Sequence, residues 1–183
     1  KLPNIYLLHG ELTKQEMNYL YNHPKVKAMV SLTHGEGFGR PLLEATMTGL
    51  PVVASDWSGQ LDFLDNEKSI LITGNLEKIP KSIVWKDILI EESQWFSVNE
   101  SKAYSSLNYV FENQGEVKRK GESLMYKNRE KFTLDKMADK LDEIMKKHIS
   151  DIPSQVGLKL PKLKKVKSDE KPKIKLPKLK KVG

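Results

Sequence analysis

The chain has 183 residues, 38% of them hydrophobic and 30% charged, with a formal net charge of +7. That is enough apolar material for one core, with or without a tail. The absence of cysteine excludes disulfides and thiolate metal sites and fits a reducing compartment. No apolar run approaches the roughly 18 residues of a membrane span, and no signal-peptide pattern is present, so the expectation is a cytoplasmic protein.

Charge is unevenly shared. Residues 159–183 hold 11 lysines against Asp169 and Glu170, which leaves 20 basic and 22 acidic groups in the rest of the chain. The basic isoelectric point therefore belongs to the tail. The first residue is Lys1 and the chain opens almost directly into an apolar run, so the sequence is expected to be a piece of a longer protein.

In chain order, Ile5-Tyr6-Leu7-Leu8 reads as a short buried strand closed by His9-Gly10. Thr13-Lys14-Gln15-Glu16 is a capping-box pattern, followed by Met17, Leu20 and Tyr21 at helical spacing. Val26 to Leu32 reads as a strand. Pro41 to Thr48 reads as a helix, with proline suited to its first position and Gly49 to its end. Pro51 to Ser55 is a further strand, Gly59 to Leu64 a short helix and Ser69 to Thr73 a fourth strand. Strands alternating with helices imply parallel β-α-β units, whose strands are continuous apolar runs because both faces are covered.

After Gly74 the pattern changes. Ser82-Ile83-Val84-Trp85 and Gln94-Trp95-Phe96 are apolar islands, either edge strands or packed loops. Trp85, Trp95 and Phe96 read as core or interface anchors. Ser97-Val98-Asn99-Glu100 is a second capping-box pattern, opening a helix to about Asn113. Two amphipathic helices follow, near Glu116 to Glu130 and Leu134 to His148; in the last, Leu134, Met137, Leu141, Ile144 and Met145 form one apolar stripe. KLPKLKKV occurs at Lys159–Val166 and again at Lys175–Val182. This proline-broken, lysine-rich repeat lacks the apolar groups to offset the entropy of ordering. The expected organisation is an α/β domain over residues 1–150 and a disordered tail over 151–183.

Ligands of an open parallel sheet bind beyond the carboxyl ends of its strands. There the chain reads Thr33-His34-Gly35-Glu36-Gly37-Phe38-Gly39-Arg40. Glycines 35, 37 and 39 let the main chain approach a ligand without Cβ obstruction. The helix that starts near Pro41 offers N–H groups and a partial positive charge to a phosphate, with Arg40 beside it. Glu36 is suited to accept hydrogen bonds from sugar hydroxyls, and Glu44, further along, from a ribose. His34 stands near any bound sugar, or is a loop histidine bonded locally. Asp56 and Ser58 follow another strand's carboxyl end, where a rim contact is available. Trp57 either packs on the acceptor side or covers the loop. Nothing links the four histidines into a metal site. A glycine-rich strand-to-helix turn is also common as a purely structural element, and the segment is neither G-x-G-x-x-G nor a P-loop.

The longer segment EGFGRPLLEATMTGLPVVAS resembles the signature of retaining GT-B glycosyltransferases of family 4. There a glutamate precedes a G-F-G loop, a second glutamate follows after seven residues, and A-x-x-x-G-x-P-V-V/I-A comes next. Ser58-Gly59-Gln60 resembles that family's G-G-x-x-E turn, with departures at Ser58 and Asp62. The likeness spans about residues 4–148 and is strongest over 29–64. It implies a Rossmann-like parallel sheet, the C-terminal, nucleotide-sugar-binding half of a GT-B fold, followed by C-terminal helices. It also implies transfer of a hexose from a nucleoside-diphosphate sugar to an acceptor with retention of configuration. No cofactor and no metal are expected. The resemblance makes Glu36 the catalytic residue, positioning the donor sugar; the backbone of Gly37, Phe38 and Gly39 would meet sugar and diphosphate, and Glu44 would hold the ribose. Gly35, His34 and Arg40 join them as substrate-binding candidates from their place in the loop, Arg40 at a position commonly apolar in the family.

The family's N-terminal acceptor-binding domain and the basic residues that grip the diphosphate do not precede Lys1, so the fragment alone is expected to be poorly active. Its acceptor (sugar, lipid-linked or protein) is not readable. The tail has three readings: a solvated extension, a peripheral contact with anionic membrane, or attraction to nucleic acid. The last is disfavoured because no aromatic residue lies within 159–183. A non-catalytic binding module, with a degenerate sugar-nucleotide pocket and a basic tail binding anionic membrane or nucleic acid, is the alternative.

Overall fold

The computed structural model describes residues 3–149; the lysine-rich tail lies outside the described residues. A first compact unit, Lys1–Asp142, holds every element below except the last residues of the final helix, which fall in a second unit, Glu143–Gly183.

Three short strands, β1 (Met29–Ser31), β2 (Val52–Ser55) and β3 (Ile70–Ile72), form a parallel sheet in the order β1-β2-β3. Met29 pairs with Val52, and Val53 with Ile70. The central strand is buried along its whole length. Successive side chains of a strand point to opposite faces, so β2 serves two cores. Val52 and Ala54 join Leu42, Ala45, Leu50, Phe63, Leu64 and Leu124 on one side. Val53 joins Ile72, Ala103, Val110 and Val117 on the other. Each fully buried valine is worth roughly 1.5–3 kcal/mol of transfer free energy. The α/β class and the parallel sheet expected from the sequence are what the chain forms.

The helices are α1 (Lys14–Asn22), α2 (Arg40–Met47), α3 (Glu100–Glu112), α4 (Gln114–Lys131) and α5 (Leu134–His148); α2 packs on β1 and β2, and α3 on β3. The Thr13 capping box forms as expected, with the Glu16 carboxylate accepting from the Thr13 N–H at 2.8 Å and Thr13 Oγ1 accepting from the Glu16 N–H at 3.2 Å. The second box does not. Ser97 lies in a strand, and Asn99 caps α3 by accepting from the Lys102 N–H at 2.9 Å. Asn99 stands immediately before the first helical residue, and the ladder already engages Ser97. Gly59–Asp62 is a single 3-10 turn rather than a helix to Leu64.

Two apolar runs depart further from expectation. Ile5 to Leu8 form no strand and are exposed, Ile5 by 90% and Leu7 by 87%. A strand needs a neighbouring ladder for its N–H and C=O groups, and among the described residues none pairs with this segment. The region after Gly74 is a separate antiparallel pair, β4 (Gly74–Lys78) with β5 (Gln94–Val98), in which Gly74 faces Val98 and Lys78 faces Gln94. Trp85, expected as an anchor, is 65% exposed, whereas Phe96 is buried. The apolar stripe of α5 is exposed at Leu134, Met137 and Leu141.

Helix α4 fixes α2. Buried Asn128 donates to Thr46 Oγ1 at 2.9 Å and to the Phe63 carbonyl at 3.2 Å. The Arg129 fork donates to the Met47 carbonyl at 2.9 and 2.6 Å, satisfying a terminal acceptor of α2. Gly121 allows the close approach, because a Cβ there would stand 2.6 Å from the Gly49 carbonyl oxygen and 3.0 Å from Pro51 N. Gly121→Ala should therefore cost about 1–3 kcal/mol, read as a lower urea midpoint.

Lys127 of α4 also binds Asp65, whose carboxylate accepts from the Lys68 N–H at 2.8 Å. Burial alone would raise Asp65, but the Lys127 hydrogen bond, the Lys68 N–H and the two lysine charges together outweigh it and hold the carboxyl below its usual value. A depressed carboxyl stabilises the fold above its unfolded pKa of about 3.9 and stops doing so as pH falls through the folded value. Asp65→Asn should melt a few degrees lower (about 2–4 °C) at pH 7, and the gap to the parent should close as the pH drops below about 4; a pH series of thermal melts checks it.

Candidate functional site

The carboxyl ends of β1 and β2 deliver two loops, residues 32–39 and 56–58, to the same end of the sheet. The first runs into α2 through Gly39, which is left-handed (φ 82°, ψ 46°) and occupies the N-cap position without a side-chain cap. Pro41 follows inside the first turn, where its missing N–H leaves nothing unsatisfied. Among the described residues none accepts a hydrogen bond from the main-chain N–H of Gly37, Phe38 or Gly39. Three free donors at the start of a helix make an arrangement that suits an anion.

The loop is held from two sides. On one, His34 lies flat on Trp95, ring centroids 3.8 Å apart and 5° from parallel. Its carbonyl accepts from the Phe96 N–H at 3.2 Å, and its Nδ1 lies 2.7 Å from the Phe96 carbonyl oxygen. A carbonyl can only accept, so Nδ1 carries the proton. His34 is thus stitched to β5, and its Nε2 is the nitrogen left for a ligand. Trp57 stacks on Phe96, centroids 5.7 Å apart, so it covers the hairpin while remaining 40% exposed. On the other side, Ser58 Oγ donates to the Glu36 carbonyl at 2.7 Å and accepts from the Glu36 N–H at 3.3 Å. The Gly59 N–H donates to the same carbonyl at 3.0 Å. Beneath, buried Gln60 donates to Ser55 O and Oγ, both at 3.0 Å, and Ser55 Oγ donates to the Thr33 carbonyl at 3.1 Å.

The residues singled out from the sequence are placed as follows. Glu36 is half-buried, and among the described residues nothing pairs with its carboxylate. Arg40 turns along α2 onto Glu44, Nε to carboxylate 3.2 Å, with side chains 83% and 46% exposed. Such an i,i+4 pair is worth about 0.3–0.5 kcal/mol, so it yields readily to a ligand. Phe38 is 39% exposed and packs its ring on Phe63 and Phe132, centroids 5.3 and 6.3 Å away. Arg40 and Glu44 line an open cavity of about 920 Å³ with Lys14, Asn18 and Tyr21 of α1. Glu36 and the three loop glycines do not line it. A second opening of about 500 Å³, lined by His23, Lys27, Pro51 and Lys118, sits at the amino ends of the strands, away from these loops.

Tyr21 was read from the sequence only as a helix-face residue. It is 8% exposed, and its hydroxyl is buried without a partner among the described residues. Burial pushes the phenol up, the Glu44 charge adds to that, and Arg40 opposes it. Ser55 was read only as the end of a strand and Gln60 only as part of a turn, while Trp95, read as a core or interface anchor, stacks on His34. Ser58 carried a local signal, a serine where the turn pattern has glycine. Its backbone (φ 79°, ψ −160°) occupies a region that costs a non-glycine residue about 1–3 kcal/mol. Among the described residues no group of three His, Asp or Glu gathers to hold a metal ion, and no helix is long and apolar enough to cross a membrane.

The glycines separate cleanly. Gly39 needs its left-handed backbone, and a Cβ there would press on Gln60 and Leu42 at 3.4 Å. Gly37 needs neither, for a Cβ on it would meet nothing within 4 Å. Gly39→Ala should lose about 1–2 kcal/mol of stability, whereas Gly37→Ala should stay within about 0.5 kcal/mol of the parent, both measured by urea unfolding.

Among curated proteins none matches this chain. The family model of glycosyl transferases group 1 matches residues 2–103, a span that contains β1 to β5, the loop around Glu36 and the turn at Ser58. The chain belongs to the glycosyl transferases group 1 family.

Proposed function

We propose that this chain is the donor-binding part of a retaining glycosyltransferase that takes a nucleoside-diphosphate sugar. Family membership supports glycosyl transfer in general. The donor class rests on one observation, the unfilled space at Gly37 beside three unbonded main-chain N–H groups and an unpaired carboxylate. The fold gives no reason of its own for a glycine at position 37. A ligand that approaches the main chain closely does.

Each group then has a task. The N–H groups of Gly37, Phe38 and Gly39, with the positive end of α2, meet the diphosphate, and they strengthen as negative charge gathers on it when the glycosidic bond to the sugar breaks. Donors fixed in this way stabilise departure without reorganising. The Glu36 carboxylate, only an acceptor, takes hydrogen bonds from the sugar hydroxyls and so orients the ring. Glu44 exchanges its exposed contact with Arg40 for the ribose hydroxyls, and the freed guanidinium turns to the phosphate. Retention requires the acceptor hydroxyl to arrive on the face that the diphosphate leaves. Orientation does most of that work, and no protein nucleophile is invoked. No metal or cofactor is assigned a role.

The test is a titration of the labelled protein with UDP-glucose, GDP-mannose and ADP-glucose, following amide shifts. One donor should move Gly37, Phe38 and Gly39 saturably. Glu36→Gln and Gly37→Ala should each weaken that binding by roughly tenfold, the loss of about 1.4 kcal/mol of hydrogen bonding or of close approach. Silence with all three donors, in a protein whose spectrum is that of a folded chain, overturns the proposal.

A further inference from the structure

Ser58 adopts a backbone conformation (φ 79°, ψ −160°) that only glycine reaches without strain. Strain of this kind persists where surrounding contacts over-determine it. Here those contacts are specific, and they converge on one residue. The Ser58 hydroxyl donates to the Glu36 carbonyl at 2.7 Å and accepts from the Glu36 N–H at 3.3 Å. The Gly59 N–H adds a second donor to that carbonyl at 3.0 Å. The approach is so close that a Cβ on Gly59 would stand 2.1 Å from the Gly37 carbonyl oxygen. A residue whose N–H and C=O are both held has its Cα–Cβ direction set, although its side chain is left free.

We propose that Ser58 is a positioning residue which aims the Glu36 side chain by gripping that residue's main chain. A glycine at 58 would make the same turn with less strain and without the hydroxyl's grip, leaving only the Gly59 N–H on the Glu36 carbonyl. The hydroxyl, not the turn, is therefore what the serine contributes. The inference rests on the reading of Glu36 as the group that meets the donor sugar, and it adds how Glu36 is kept in place. Gln60, which supports the turn from beneath through Ser55, is untouched by any change at Ser58 Oγ. The effect is confined to the loop.

The test compares the parent with Ser58→Gly and Ser58→Ala. A merely structural role would move stability and binding together, and glycine would serve as well as serine. Positioning predicts a split. Ser58→Gly should melt at or above the parent's temperature, because the strain is relieved. Its Glu36 amide should exchange with solvent roughly tenfold faster, since the Ser58 Oγ that accepts from that N–H is gone. Its affinity for whichever of UDP-glucose, GDP-mannose and ADP-glucose the parent binds should fall roughly tenfold, while affinity for the matching UDP, GDP or ADP alone stays within about twofold, because Glu36 serves the sugar. Ser58→Ala should lose the same binding and, keeping the strain without the bonds, should also melt lower. If Ser58→Ala does not fold, the glycine variant decides alone. Unchanged affinity for the nucleotide sugar in Ser58→Gly overturns the proposal, as does an equal loss for nucleotide and nucleotide sugar. If the parent binds no donor, the reading of Glu36 fails; exchange at the Glu36 amide still reports separately whether Ser58 holds this residue, and unchanged exchange in both variants overturns that as well.

Discussion

Everything described depends on the burial of β2. Its four residues are covered on both faces, and the alternation of Val52, Val53 and Ala54 ties two otherwise separate apolar clusters into one layered unit. Because β2 is central, its neighbours take their register from it. Its last residue, Ser55, reaches sideways to Thr33 beyond β1 and receives Gln60 from the following turn. The hydrophobic effect thus sets where the strand ends, and short hydrogen bonds set how the two loops beyond it meet.

The loop at Glu36 is consequently rigid for reasons that lie elsewhere. Aromatic stacking on the β4–β5 hairpin secures its first residues, a hydroxyl and an N–H from the next loop secure its middle, and Phe38 secures its end by packing on Phe63 and Phe132. Pre-organised donors matter because a site that must order itself on binding spends part of its interaction energy doing so. The Arg40–Glu44 pair is softer, because both side chains stand in water.

Much of this was legible in the residues. The apolar runs read at 26–32, 51–55 and 69–73 announced a parallel sheet, whose strands form at 29–31, 52–55 and 70–72. Thr13 with Glu16 announced α1, and Pro41 with Gly49 bracketed α2 to within a residue of its ends. What failed to show was whatever depends on a distant partner. Ile5 to Leu8 has strand composition, yet composition cannot supply a neighbouring ladder. Ser97 matched a capping box, but pairing with Asn75 across the hairpin outcompeted a local motif. Arg40 was read toward a phosphate, and in the fold it pairs with its carboxylate neighbour four residues on, Glu44. His34 stood open between ligand contact and local bonding; its stacking partner is 61 residues away by the numbering of Trp95, a distance no spacing rule covers. The candidate loop was singled out by its place at a strand's carboxyl end and by the longer resemblance over 36–55, whereas most of its supports act through partners distant in sequence.

The outer flank of β1 carries a practical consequence. Val30 is 43% exposed there, no described strand pairs with that flank, and four apolar residues at Ile5 to Leu8 are likewise open to water. Bare strand edges and extended apolar segments recruit one another between molecules. That flank of β1, on the strand that leads into the glycine loop, and the apolar residues 5–8 are therefore where two copies of this chain would meet in a concentrated sample.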